Sequence, residues 1–158
     1  STKRNAAQCS GSFIRSTSRE LEMRQFNLND MVRGYMVCAL WSSVVSDDDG
    51  NNCEPMDDNY SVDDIAPECA AAMRAVCEDF AKSNHADLQE YCIRMRTEEW
   101  SGEERAGHDF WLTRNGHGAG FLDRGLGALG DRLSAAAKVY SSVDLYPGDD
   151  GLIYGETQ

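Results

Sequence analysis

The sequence predicts an α+β fold: N-terminal helices packed with a small antiparallel sheet of C-terminal β-hairpins. Three observations carry this. Over about residues 28–44, 67–82 and 84–95, apolar residues recur at three- and four-residue spacing, the period of a helix with one buried face. Between Gly107 and Gly130 the chain changes character and holds seven of its fourteen glycines. Near the end, "VDLY" and "LIYG" flank "PGDDG", and Asp-Gly is a strong hairpin-turn signal. Helices first and hairpins afterwards make an α+β order.

Residues 1–25 are rich in Ser, Thr, Arg and Lys with little apolar patterning, and are expected to form a mobile basic arm before a single domain over 26–158. The first helix is expected over about Leu28–Val44, where Met31, Tyr35, Cys38 and Trp41 or Ser42 share a face and Asn27 or Asn29 can cap the start. "SDDDGNNCEPMDDNY" then breaks the pattern as a polar, acidic loop. Ser61 to Asp64 has the form of a capping box, with Asp in place of Glu or Gln. Pro67 suits the first turn of a helix over Pro67–Lys82 with Ala70, Met73, Cys77 and Phe80 inward. Asn84 can cap a helix through about Met95, with Leu88, Tyr91, Cys92 and Met95 inward. Ser101 and Glu104 form a further box, opening a short acidic helix that ends near Gly107. "DFWLTR" and "GFLDR" around "NGHGA" read as a β-hairpin with a glycine-rich turn. A helix over about Ala128–Tyr140 and the Asp-Gly hairpin complete the chain, and no internal repeat is visible.

The formal net charge of −12 is unevenly spread: residues 1–25 carry +3, whereas residues 46–104, with seventeen acidic and four basic side chains, carry −13. Such a field repels nucleic acid and anionic membranes, because phosphate affinity rests on Lys and Arg, and it steers the chain toward basic surfaces. It also serves to keep a protein soluble. The longest apolar stretch, around Tyr35–Trp41, falls well short of the roughly eighteen residues of a membrane span. "STKRNAAQCSGSF" has the charge of a signal peptide's first region with no apolar segment behind it, so a cytosolic location is expected. The six cysteines are then expected to be reduced; none are spaced as C-x-x-C, and Cys38, Cys69, Cys77 and Cys92 fall in helical patterns as small buried hydrophobes.

Several motifs dissolve in their context. "GLGALG" matches G-x-G-x-x-G at Gly125, Gly127 and Gly130, with Asp144 about 20 residues on. No buried parallel strand precedes it, and fewer than thirty residues follow, too few for a doubly wound sheet. In "SDDDGNN" the EF-hand register puts Val45 and Met56 at the terminal ligand positions, where neither can ligate. His108-Asp109 resembles the central pair of the HD-domain metal phosphohydrolases, with His85 and Asp144 as further donors able to hold a metal that activates water. That family is all-helical, whereas here the pair opens an expected strand. His117, between two glycines, would sit with Arg114 and Asn115 on a hairpin turn above Asp123 and Arg124, an arrangement that presents imidazole, amide and guanidinium to one ligand. The alternative is that the glycines serve tight turns and Phe110, Trp111 and Phe121 are core.

"GHDFWLTRNGHGAGFLDRG", with "GYMVCALWSS", "MDDNYSVDDIAPE" and the downstream "VDLYPGDDGLIYG", resembles a group of small acidic proteins of bacteriophages and related mobile elements. The resemblance runs from about Met31 to Gly155. It implies a phage-type gene acting in a bacterial cytoplasm, and carries no catalytic residues with it.

The leading expectation is a non-enzymatic accessory protein that binds a basic or nucleic-acid-binding host protein, touches neither nucleic acid nor membrane directly, and needs no cofactor or metal. Asp47, Asp48, Asp49, Glu54, Asp57, Asp58, Asp63 and Asp64 would form a carboxylate array competing with phosphates. The alternatives are a small metal- or ligand-dependent hydrolase using His108, Asp109, Arg114, His117 and Asp123, and a virion-associated structural protein.

Overall fold

Asn27 opens the first of the described helices in the computed structural model, which describes residues 26–118 and 120–158; the expected arm lies outside the described residues. The Asn27 side chain accepts from the Asp30 amide at 3.1 Å, satisfying one of the donors a first turn leaves unpaired. Helix α1 (Leu28–Ser42) buries Met31, Tyr35 and Cys38 of the face its period singles out, whereas Trp41 is exposed and Ser42 only partly buried.

The acidic segment expected as a loop is folded. Strands β1 (Val44–Ser46) and β2 (Cys53–Pro55) pair antiparallel, with Val45 opposite Glu54. Three-residue strands are too short to display the period-two alternation by which strands are read. Two single 3-10 turns follow, Met56–Asp58 and Val62–Asp64. Met56 is fully buried and pins the segment to the core, and the second turn opens on the expected Ser61–Asp64 capping box.

Helix α2 (Pro67–Ser83) starts on its proline and buries Cys69, Met73, Cys77 and Phe80; α3 (His85–Met95) buries Leu88 and Tyr91. Asn84 does not cap α3 with its side chain: its Nδ2 donates back to the Phe80 carbonyl at 3.0 Å and closes α2.

Helix α4 (Gly102–Arg114) starts on the expected Ser101–Glu104 box but runs seven residues past Gly107. The β-hairpin expected over 109–124 is therefore corrected: "DFWLTR" is the second half of α4. The cause is burial on every side. Ala106, Asp109, Phe110, Trp111, Leu112 and Thr113 are all buried, and a helix enclosed by neighbours loses the amphipathic period that would mark it. "NGHG" is a helix stop. Gly116 takes φ +70°, its amide donates to the Thr113 carbonyl and the His117 amide to the Leu112 carbonyl, the paired bonds of a Schellman cap.

A 3-10 turn, Phe121–Arg124, leads to α5 (Ala128–Ala137), three residues shorter than expected. The last hairpin is where the sequence puts it: β3 (Val143–Pro147) pairs antiparallel with β4 (Ile153–Thr157), Leu145 opposite Gly155. A parallel bridge from Ile65 to Ile153 ties it to the front of α2. The fold is α+β, with five helices and two two-stranded antiparallel sheets among the described residues.

Helices α1 and α4 form the centre. Gly34 faces Glu104 at one end of the contact and Ser42 faces Trp111 at the other, so the two helices run side by side in the same direction. Both helices use glycine to approach. A Cβ on Gly34 would lie 2.7 Å from the Glu104 carbonyl carbon, and one on Gly107 2.7 Å from the Tyr35 amide nitrogen. Around this pair Phe80 stacks on Phe110 with centroids 4.1 Å apart, and Tyr91 meets Phe121 edge-on at 5.3 Å. Cys38, Cys69 and Cys77 are buried and free, packing as apolar side chains; burial pushes the Cys38 thiol up to about 12. Among the described residues no helix is long and apolar enough to cross a membrane.

Candidate functional site

The acidic segment stands on a hydrogen-bonded scaffold. Asp47 closes the β1–β2 turn: its Oδ1 accepts from the Asn51 amide and its Oδ2 from the Asn52 Nδ2, each at 2.8 Å. These bonds, the Asn51 amide foremost, hold the exposed Asp47 carboxyl below the usual aspartate range. Glu54 accepts from the Asn59 Nδ2 at 3.3 Å, and Asp64 from the Ser61 amide at 2.7 Å. Asp48, Asp49, Asp57, Asp58 and Asp63 are exposed, and among the described residues their carboxylates accept no hydrogen bond. None of the eight candidate carboxylates forms an ion pair within the described residues, and the sequence has no Lys or Arg between Arg33 and Arg74 to supply one. The segment is thus a run of solvated charge on a shaped backbone.

The five residues considered for catalysis are dispersed by α4 and its exit. Asp109 is 1 % exposed; Arg124 binds both of its oxygens, with Nη2–Oδ1 at 2.6 Å and Nε–Oδ2 at 3.0 Å, and the Tyr91 hydroxyl donates to Oδ2. Burial by itself would raise the Asp109 carboxyl, but the His108 ring, the Arg124 guanidinium and the Tyr91 hydroxyl together hold it below the ordinary range. Asp109 is a brace in this arrangement, and its use as an acid, base or ligand would require breaking the pair.

His108 points elsewhere. Its Nδ1 is 3.8 Å from Asp109 Oδ1, beyond hydrogen-bond range, and its ring lies against Trp41 (centroids 5.7 Å) and edge-on to Trp100 (6.4 Å). Arg114 emerges from the last turn of α4 toward Tyr35 and the Ser141 carbonyl. His117 is exposed just past the Schellman cap, and Asp123 is exposed on the turn before Gly125. The structure brings His108 near Asp109 without a hydrogen bond, and shows no hydrogen bond or ion pair linking Arg114, His117 or Asp123 to either of them or to one another. Of the further donors considered for a metal, His85 packs edge-on to Phe26 and Asp144 accepts from Gln158. Among the described residues no three His, Cys, Asp or Glu side chains gather closely enough to hold a metal ion.

Sequence reasoning missed the partners that matter most here, Tyr91 for Asp109 and Tyr35 for Arg114. A signal existed. Both tyrosines fall on inward faces of predicted helices, and a buried phenol needs a polar partner for its hydroxyl. Asn115 was also legible only in part: its Oδ1 accepts from the Val143 amide at 2.7 Å and joins the end of α4 to β3.

Compared with family models, curated proteins and solved structures, the chain matches none of them.

Proposed function

We propose that this chain is a non-enzymatic phage accessory protein that acts in the bacterial host cytoplasm by docking its acidic segment onto a basic, nucleic-acid-binding surface of a host defence or replication protein. One observation supports this above the others: eight carboxylates over Asp47–Asp64, seven of them on exposed residues, sit on a hydrogen-bonded hairpin and turns, and none of them is ion-paired among the described residues. Charge of one sign on a scaffold that is already ordered attracts a basic surface at long range and loses little conformational entropy on contact. Competition with phosphates then follows from occupying the Lys and Arg side chains that phosphates need.

The test is affinity purification from bacterial lysate at low and high salt, with the intact chain and a variant carrying Asp48→Asn, Asp49→Asn, Asp57→Asn, Asp58→Asn and Asp63→Asn. The proposal expects a nucleic-acid-binding protein retained at low salt, eluted by salt or duplex DNA, and lost with the neutralised variant. Retention of the same partners by both forms would refute it.

A further inference from the structure

A groove of about 360 Å³ opens between α2 and the β3–β4 hairpin, beside the C-terminal end of α4. Its walls are largely apolar, with Ala72, Met73 and Val76 on one side and Trp111 and Val143 on the other. No residue of the acidic segment lines it, so it is independent of the surface proposed above.

Tyr35 and Arg114 supply the polar end. The Arg114 guanidinium is anchored from behind: Nε and Nη2 donate to the Ser141 carbonyl, Nη1 donates to the Tyr35 hydroxyl at 2.9 Å, and the Phe110 and Tyr140 rings lie 6.0 and 5.7 Å from its central carbon. Further N–H groups of the fork remain unassigned, and Arg114 forms no ion pair among the described residues. The Tyr35 oxygen accepts from Arg114, while its own O–H finds no acceptor among the described residues although the residue is 1 % exposed. Burial keeps that phenol protonated, far above its usual range, so it stays a donor. Among the described residues, a half-buried cation without a counter-ion and a buried O–H without an acceptor stand together at one end of an apolar groove.

We propose that this groove binds a small monocarboxylate with an apolar body, the carboxylate held by Arg114 and the Tyr35 hydroxyl and the body lying on Met73, Val76 and Trp111. The planar guanidinium fork matches a carboxylate, and the adjoining O–H adds a second donor. A volume of this size suits a small ligand, since such sites run from about 300 Å³ upward. The polar groups also set the charge. One guanidinium balances one negative charge, and Glu68, in the first turn of α2 and also lining the groove, disfavours a dianionic phosphate ester.

Titration calorimetry with octanoate and phenylpropionate, against octanol and octyl phosphate, tests this on the full chain, with the Trp111 indole resonance as a local reporter. Both acids are expected to bind and to shift that resonance, with octanol weaker by about tenfold or more. Arg114→Gln and Tyr35→Phe should each weaken the acids by about that factor and leave octanol unchanged. Ala72→Trp, at an exposed position on the groove, should remove binding of both. Tyr35→Phe keeps the ring packing and decides the matter if Arg114→Gln fails to fold. Absence of binding by either acid, equal binding of acids and octanol, tighter binding of octyl phosphate, or acid binding unchanged in a folded Tyr35→Phe variant would each overturn the proposal.

Discussion

Arg124 grips both carboxylate oxygens of Asp109, and through this pair the 3-10 turn after the glycine-rich segment is fastened to the middle of α4. The geometry is bidentate, Asp109 is buried, and the Arg124 side chain is 26 % exposed, so water screens the pair little on the aspartate side.

Removing Arg124 leaves the Asp109 charge buried, with the Tyr91 hydroxyl still donating to it, and removing Asp109 takes away the carboxylate that Arg124 grips with two hydrogen bonds. Asp109→Ala is expected to destabilise the fold by about 3–5 kcal/mol in urea denaturation, and Arg124→Ala by a comparable amount. The double replacement Asp109→Leu with Arg124→Met should cost clearly less than the sum of the two, because it removes the burial penalty together with the attraction. Additive losses would show that the two side chains act independently.

The same pair sets an acid limit. The Asp109 carboxyl titrates below its unfolded value of about 3.9, so as pH falls the unfolded chain takes up this proton before the folded one does. The stabilisation is whole above the unfolded value and is lost as pH drops through the folded one. Stability measured from about pH 5 to pH 2 should therefore fall in the wild type, and the gap between it and a folded Asp109→Asn variant should narrow over that range. A gap constant with pH would exclude Asp109 as the source.

Gly34 and Gly107 should tolerate no side chain. Alanine is the better helix former by about 1 kcal/mol, and at an exposed site each replacement would stabilise. Here the new methyl meets helix backbone on both sides of the α1–α4 contact, which cannot yield as a flexible side chain would. Gly34→Ala and Gly107→Ala are each expected to lose about 1–3 kcal/mol or more in chemical denaturation.

The acidic segment separates into charges that hold the backbone and charges that do not. Asp48→Asn, Asp49→Asn, Asp57→Asn and Asp58→Asn should change stability by no more than about 0.5 kcal/mol. Asp64→Ala removes one half of the capping box and should cost about 1 kcal/mol in the same assay. Equal losses in both groups would mean that the free carboxylates have structural partners after all.

Where the sequence was legible, the signal was local. Asn27, Ser61, Pro67 and Ser101 mark starts because capping is decided within one turn of chain, and "PGDDG" marks its hairpin because a turn type selects its residues. The second half of α4 was illegible because enclosure by other elements erased its periodicity. The same enclosure turned Asp109 from a candidate catalyst into a brace, since only the tertiary fold brings Tyr91 and Arg124 onto it. "NGHG" misled for a related reason: a left-handed glycine ends a helix as readily as it turns a hairpin, and the sequence does not distinguish the two.

The shared direction of α1 and α4 bears on how the chain reaches this structure. Two adjacent antiparallel helices can close through a short loop, but parallel neighbours need a crossover, and here residues 43–101 intervene. That stretch includes the acidic hairpin, α2 and α3, so the central contact forms only after a long loop has closed at an entropic cost. Its folding should consequently be slower than that of an up-and-down bundle of equal helix content, with non-local closure setting the pace. Gly34 and Gly107 would then govern the rate of folding as well as the stability of the product.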